Sequence, residues 1–395
     1  MTATREVLVL SGARTAIGDY GGSLKDVPPT QLGAIAVREA VKRSGVNPDD
    51  VGMVVFGSCI HSEPRDIYMS RVAAIDGGLS INTPCVTVNR LCGSGLQAII
   101  MASQSLMLGD ADLAVAGGAE SMSRGGYLLP SERWGQRMGN GQTIDMVVGG
   151  LTDPFDPIHM AITAENVATQ FDISREEQDK LAYESHRRAA AAIAAGYFKE
   201  QIVPVEIKTR KGTVVFDTDE HVRADASLES MAKLRPVFKK DGSVTAGNAS
   251  GMNDAGAAVV LMEAEAAKSS GRKPIGRLVA YGHSGVDPKI MGIGPVKAVQ
   301  NALKRAGLTL DQIDIIEANE AFAAQACAVA KELGFDPAKT NPNGSGISLG
   351  HPVGATGAIL TIKVLAELAR TGGRYGLATM CIGGGQGVAA IFERL

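Results

Sequence analysis

Two cysteines and one histidine are the residues best placed to do chemistry, because each sits in its own glycine-rich stretch. Cys92 lies in Asn89-Arg90-Leu91-Cys92-Gly93-Ser94-Gly95, His351 in Gly346-Ile347-Ser348-Leu349-Gly350-His351-Pro352, and Cys381 in Cys381-Ile382-Gly383-Gly384-Gly385-Gln386-Gly387. A thiolate is a soft nucleophile, an imidazole near neutral pH is a base, and backbone N–H groups in a glycine loop can hold an oxyanion. A lone cysteine is more often a small buried hydrophobe. Here the context reverses that expectation. The run Cys85–Val88 reads as a short buried strand and Leu96–Leu108 as a helix, so Cys92 falls where one becomes the other. Unpaired N–H groups and the helix dipole there are expected to bring its pKa below the reference of about 8.5. Gly93 and Gly95 are expected to leave room for a bulky electrophile.

Positioning these residues requires a scaffold, and the chain reads as alternating strands and helices. Glu6–Leu10, Val51–Gly57 and Asp112–Gly118 have the composition of buried strands, with amphipathic helices over Thr30–Ser44 and Tyr68–Ile75. From Glu120 to about Gly251 loops dominate, with one long helix that opens on the capping box Ser174-Arg175-Glu176-Glu177 and ends near Ala195. Ala255–Met262 reads as a strand returning to the first domain. Beyond Pro274 the beginning repeats: Arg38–Val46 aligns without gaps to Gln300–Leu308, and Val51–Val55 to Ile313–Glu317. That is helix, turn, strand, twice. The repeat predicts two α/β halves about a pseudo-twofold, with a helix beginning near His351, Pro352 in its first turn, as the counterpart of the helix after Cys92. Two helix N-termini should therefore converge. Cys381 is expected on a hairpin between the strands Tyr375–Thr379 and Val388–Phe392.

Composition narrows the class. Forty-eight glycines against 17 aromatic residues in 395 suit an α/β enzyme with ligand-binding loops. A net charge of −3 gives no general attraction for nucleic acid. Five scattered cysteines without a C-x-x-C pair argue against a disulfide framework or structural zinc, so no metal site is expected. No signal peptide, spanning apolar run or C-terminal peroxisomal address is read, so the expected setting is cytoplasmic, without a membrane partner.

With these stretches in view, the sequence resembles the thiolase family, in particular bacterial β-ketothiolases of the biosynthetic acetyl-CoA acetyltransferase type. The resemblance spans essentially the whole chain and is carried by Asn89–Gly95, Gly117–Ser123, Asn319–Ala323, Gly350–Gly357 and Cys381–Gly387. It implies a thiolase fold: duplicated α/β domains in α-β-α-β-α layers (1–120 with 251–270, and 271–395) and a loop domain over 121–250. It implies reversible Claisen condensation of acetyl-CoA with an acyl-CoA, by ping-pong transfer through acylated Cys92, with CoA thioesters as substrates and no cofactor. His351 matches the base for the thiol, and Cys381 the acid/base at the α-carbon of the second acetyl-CoA. His351 and an Asn319-held water match one oxyanion hole, and the N–H groups of Cys92 and Gly383 the other.

For CoA binding the resemblance points to His159, Met160, Arg223, Ser230, Phe238, Ala246, Ser250, Met291, Ala321 and Phe322. It also implies a homotetramer assembled through a loop at 121–149. Two alternatives stand beside it: a decarboxylating ketoacyl synthase of the same fold, which would carry Cys-His-His or Cys-His-Asn, and a non-catalytic acyl-CoA binding protein. Cys381 argues against the first and the intact Cys92, His351 and Cys381 against the second.

Overall fold

The computed structural model describes residues 5–395. Nine strands build its main sheet: β1 (Val7–Arg14), β2 (Met53–Gly57), β3 (Cys85–Val88), β4 (Leu113–Ser121), β5 (Asn253–Glu263), β6 (Gly276–Gly285), β7 (Ile315–Ala318), β8 (Tyr375–Ile382) and β9 (Gln386–Arg394). They run in the order β7-β8-β9-β6-β1-β5-β4-β2-β3, and a two-residue tenth strand, Gly18–Asp19, pairs with β5. Read outward from the β1/β6 junction, the two directions match. β1 meets β5 and β5 meets β4 antiparallel, then β2 joins parallel; β6 meets β9 and β9 meets β8 antiparallel, then β7 joins parallel. The halves join at two residue pairs, Leu8 with Arg277 and Val9 with Gly276.

The aligned repeat has the expected structural counterpart. Helix α1 (Pro29–Ser44) ends at Gly45 with φ 66°, and α5 (Gly294–Ala306), numbered after α2 (Ser94–Leu108), α3 (Met160–Gln170) and α4 (Arg175–Ala195), ends at Gly307 with φ 65°. Each terminal glycine is left-handed, a conformation glycine adopts without a Cβ penalty, and stops the helix at an equivalent place. Short 3₁₀ turns, Pro48–Asp50 and Leu310–Gln312, then lead into β2 and β7.

Five layers follow from the packing. Helix α1 covers the outer face of the first half-sheet and α5 that of the second. Between the half-sheets, α2 packs on β2 and β4 and against α6 (Thr356–Thr371), which packs on β7 and β8. The central helices are largely buried because both faces are covered. Leu96, Ile99, Ile100 and Leu106 of α2 are fully buried, each worth about 2 kcal/mol relative to exposure.

The structure corrects several expectations. Leu91–Leu108, 18 residues of mean hydropathy 1.3, is long and apolar enough to cross a bilayer, yet it is mostly buried between the half-sheets. Strand β3 is at the sheet edge and only partly buried. The 121–250 region holds a second helix of more than two turns, α3, opened by a histidine cap: His159 Nδ1 accepts the N–H of Ala161 at 3.1 Å. Helix α6 starts at Thr356, so Pro352 precedes it rather than occupying its first turn. Cys381 lies within β8, paired with Gly387, and the turn begins at Gly383.

Candidate active site

The N-termini of α2 and α6 meet, and glycine makes that possible. A Cβ on Gly357 would lie 2.2 Å from the backbone nitrogen of Leu96, and one on Gly95 2.9 Å from that of Ala358. Neither contact could relax, because both partners are backbone. A Cβ on Gly93 would lie 2.5 Å from Ile382. Gly93 and Gly95 thus serve the approach of the second half, and the expectation that they clear a path for an electrophile is corrected.

That approach closes a cavity of about 440 Å³. Cys92, His351 and Gly383 line it together with Met160, Ser250, Met291, Ala321 and Phe322, residues from both halves and from the intervening region. Cys92 sits in the 3₁₀ turn Leu91–Gly93 that leads into α2, and Leu91 holds a φ of 47°. For a leucine this left-handed conformation costs of order 1–3 kcal/mol, strain that surrounding structure must support. The strained turn presents the thiol to the cavity. The backbone N–H groups of Gly383 and of Cys92 itself favour its ionised form.

Those donors do not make it acidic. Burial outweighs them, with a further contribution from nearby Glu120, and the Cys92 thiol is pushed up to about 11. The expectation of a lowered pKa is therefore corrected: at neutral pH the thiol keeps its proton until a base removes it.

His351 can be that base. Burial brings its pKa down to about 4, so the imidazole is neutral at pH 7. Thr356 Oγ1 donates its one proton to the carbonyl of Pro352 at 2.9 Å, and His351 Nδ1 lies 2.7 Å from that hydroxyl oxygen, Thr356 Oγ1. Nδ1 must then be the protonated nitrogen, which leaves Nε2 as the acceptor. Asn253 Oδ1 fixes the backbone by accepting the His351 N–H at 2.9 Å. Asn319 Nδ2 is 3.4 and 3.5 Å from the two ring nitrogens, long for hydrogen bonds, and Asn319 Oδ1 is buried without a partner in the protein.

Cys381 is fully buried behind the cavity wall, in a cluster with Met160, Met291 and Ala321. Burial first, then the neighbouring Cys92, push its thiol far above the ordinary range. Among the described residues no group of three or more His, Cys, Asp or Glu could hold a metal ion. All five cysteines are free.

Two family models match nearly the whole chain: Thiolase, N-terminal domain over residues 7–265 and Thiolase, C-terminal domain over 272–394. This chain belongs to the thiolase family. Over 393 residues, 99% of this chain and all of the relative, the thiolase is 67% identical to a protein named Beta-ketothiolase BktB from Cupriavidus necator. It is 50% identical over 397 residues, 99% of this chain and all of the relative, to an acetyl-CoA acetyltransferase of Syntrophomonas wolfei. Among solved structures, the Bacillus anthracis acetyl-CoA acetyltransferase matches at TM-score 0.98 and 48% identity over the full length of both chains. Human mitochondrial 3-ketoacyl-CoA thiolase in complex with CoA matches at TM-score 0.96 and 44% identity, over 99% of this chain and 98% of that one.

Not every residue expected to contact CoA reaches the cavity. His159 and Phe238 stack on one another, with ring centroids 4.3 Å apart, and neither lines it. Arg223 lies in a separate hollow among Asp19, Glu220, His221 and Asp225. Ser230 hydrogen-bonds Ser227 within a short helix, and Ala246 is exposed. Conversely, the sequence reading missed the roles of Cys59, Ile60, Leu151 and Val353 as cavity lining, and of Thr356 and Glu120 as supports. Thr356 and Glu120 both lie inside motifs already quoted, which was the available signal.

Proposed function

We propose that this thiolase runs the β-ketothiolase reaction through Cys92: the thiol takes an acyl group from a CoA thioester, and the acyl-enzyme then condenses with acetyl-CoA or returns its acyl group to CoA. One observation carries the reading. A single cavity gathers Cys92, His351 and Gly383, with Cys381 buried behind the wall that Met160, Met291 and Ala321 form, from three motifs remote in sequence.

In the first half-reaction His351 Nε2 takes the Cys92 proton as sulfur attacks the thioester carbonyl, since a thiol near 11 has little free thiolate at neutral pH. The negative charge moves to the carbonyl oxygen, where the Cys92 and Gly383 N–H groups stabilise it, each worth roughly 3 kcal/mol in a dry site. Collapse expels CoA thiolate, which takes its proton from Cys381, so that His351 is left as the imidazolium and Cys381 as the thiolate. In the second, the Cys381 thiolate removes a proton from the α-carbon of acetyl-CoA, while the His351 Nε2–H and an Asn319-held water stabilise the enolate oxygen. The enolate then attacks the acyl-Cys92 carbonyl and expels the Cys92 thiolate, which His351 reprotonates.

CoA thioesters are read as substrates and not as cofactors. Met160, Ser250, Met291, Ala321 and Phe322 line the acyl and pantetheine end, with the His159–Phe238 stack toward the nucleotide. The 121–250 region is read as the loop domain, between domains at 1–120 with 251–270 and at 271–395. Within it Trp134 and Met138 are 89% and 91% exposed and Leu128 and Leu129 about half exposed, apolar surface that supports a homotetramer. The proposed location is cytoplasmic.

Brief mixing with acetyl-CoA, intact-mass measurement and peptide mapping test the mechanism. The expected result is one acetyl group on Cys92 that free CoA removes. Bound acetyl-CoA without covalent acetyl-cysteine would overturn it.

A further inference from the structure

Glu120, at the C-terminal end of β4, is fully buried, and the groups that hold its carboxylate are neutral. Oε2 accepts the N–H groups of Cys59 at 3.0 Å and Gly354 at 2.9 Å, and Oε1 accepts that of Ile60 at 3.0 Å. These donors come from both halves of the molecule. Cys59 and Ile60 follow β2 in the first half, whereas Gly354 lies three residues beyond His351 in the second.

Both ends of this arrangement lead directly to the reacting groups. The Cys59 thiol donates to the carbonyl of Leu91, the strained residue before Cys92, at 3.2 Å, and Ser94 Oγ donates to the same carbonyl at 2.7 Å. On the other side the Gly354 carbonyl enters a socket of glycines. A Cβ on Gly57, Gly95 or Gly118 would lie 2.9, 3.0 and 2.0 Å from that oxygen, and a Cβ on Gly354 itself would lie 2.7 Å from Glu120 Oε2. The histidine loop is therefore plugged into the first half, and Glu120 takes its N–H.

Building on the Cys92–His351 reading, we infer that Glu120 is a positioning residue: one carboxylate that fixes His351 relative to Cys92 by holding backbone N–H groups of both halves. It touches no reacting atom and acts through the two loops. A carboxylate suits this role because it is acceptor-only, whereas a glutamine amide would aim N–H at N–H on one side.

The test is Cys92 acetylation by acetyl-CoA, followed by quenched intact mass in wild type and Glu120→Gln across pH 8–10, where Glu120, raised by burial to about 7, is ionised. Wild type is expected to acetylate at a rate nearly independent of pH, because a neutral His351 serves as base throughout. In Glu120→Gln the rate is expected to fall at least about 30-fold, with the KM for acetyl-CoA within about threefold. The residual rate should climb about tenfold per pH unit, as an unassisted thiol must ionise first. Loosened packing alone would lower the rate without creating that slope. Gly354→Ala, which pushes the loop off the carboxylate from the other side, should give the same slope and decides the matter if Glu120→Gln does not fold. Acetylation within threefold of wild type, or loss without the new pH slope, overturns the proposal alone. A wild type that takes no acetyl group on Cys92 overturns the acyl-enzyme reading and this inference with it.

Discussion

The two cysteines of the site are held in opposite ways. Cys92 stands on a strained turn at a helix entrance and faces the cavity, whereas Cys381 is a strand residue with its side chain wholly buried in a cluster with two methionines and an alanine. On the proposed reading, the group that accepts a bulky acyl chain needs space around it, and the group that only moves a proton needs a fixed distance. Burial raises both thiols, so neither is a ready thiolate. What separates them is access.

The largest expected effect comes from Cys92→Ser, which should lower acyl transfer at least about 10⁴-fold because the poorer nucleophile loses the covalent route. Cys381→Ala should instead leave acetylation of Cys92 measurable while condensation falls by a similar factor; equal loss of both half-reactions would end the division of labour. His351→Gln should slow acetylation by about 10²–10⁴-fold, the usual worth of a positioned base. Differential alkylation sharpens the contrast further: iodoacetamide on the native enzyme should label Cys92 well before Cys381, with peptide mapping as the readout.

The pH dependence of stability is the smallest effect. The unfolded chain protonates His351 near 6.5, but the folded one only near 4. Between those values the unfolded state binds more protons, so stability is complete above pH 6.5 and is lost as pH falls toward 4, by about 3 kcal/mol for this group. His186 and His283, also held near 4, add to the same trend. Glu120 and Glu317, raised by burial to about 7, oppose this trend over the same window, so the measurement is the difference between thermal melts of wild type and His351→Gln from pH 7 to 4, with wild type losing more stability.

Much of this was legible in the chain. The repeat between Arg38–Val46 and Gln300–Leu308 works as a signal because amphipathic spacing and a terminal glycine are local properties. The motifs around Cys92, His351 and Cys381 likewise marked residues that the fold brings to one place. The acidity of Cys92 was misread because the helix entrance is local whereas desolvation is not. Gly93 and Gly95 were misread for the same reason, since the atoms they make room for belong to Ile382 and Ala358. Helix α3 was overlooked because a histidine cap is not among the usual helix-start signals. Glu120 stood in a quoted motif, but no pattern announces a carboxylate whose partners are backbone N–H groups from two distant loops.

The joint between the half-sheets, two residue pairs between β1 and β6, also makes activity a report on assembly. The second half-sheet comes from one continuous stretch, whereas the first is completed only when β5 returns to β1 and β4, and Cys92 and His351 lie on opposite sides of the seam. During refolding, circular dichroism should therefore recover before turnover does, and the delay between the two signals measures how long the halves take to find one another.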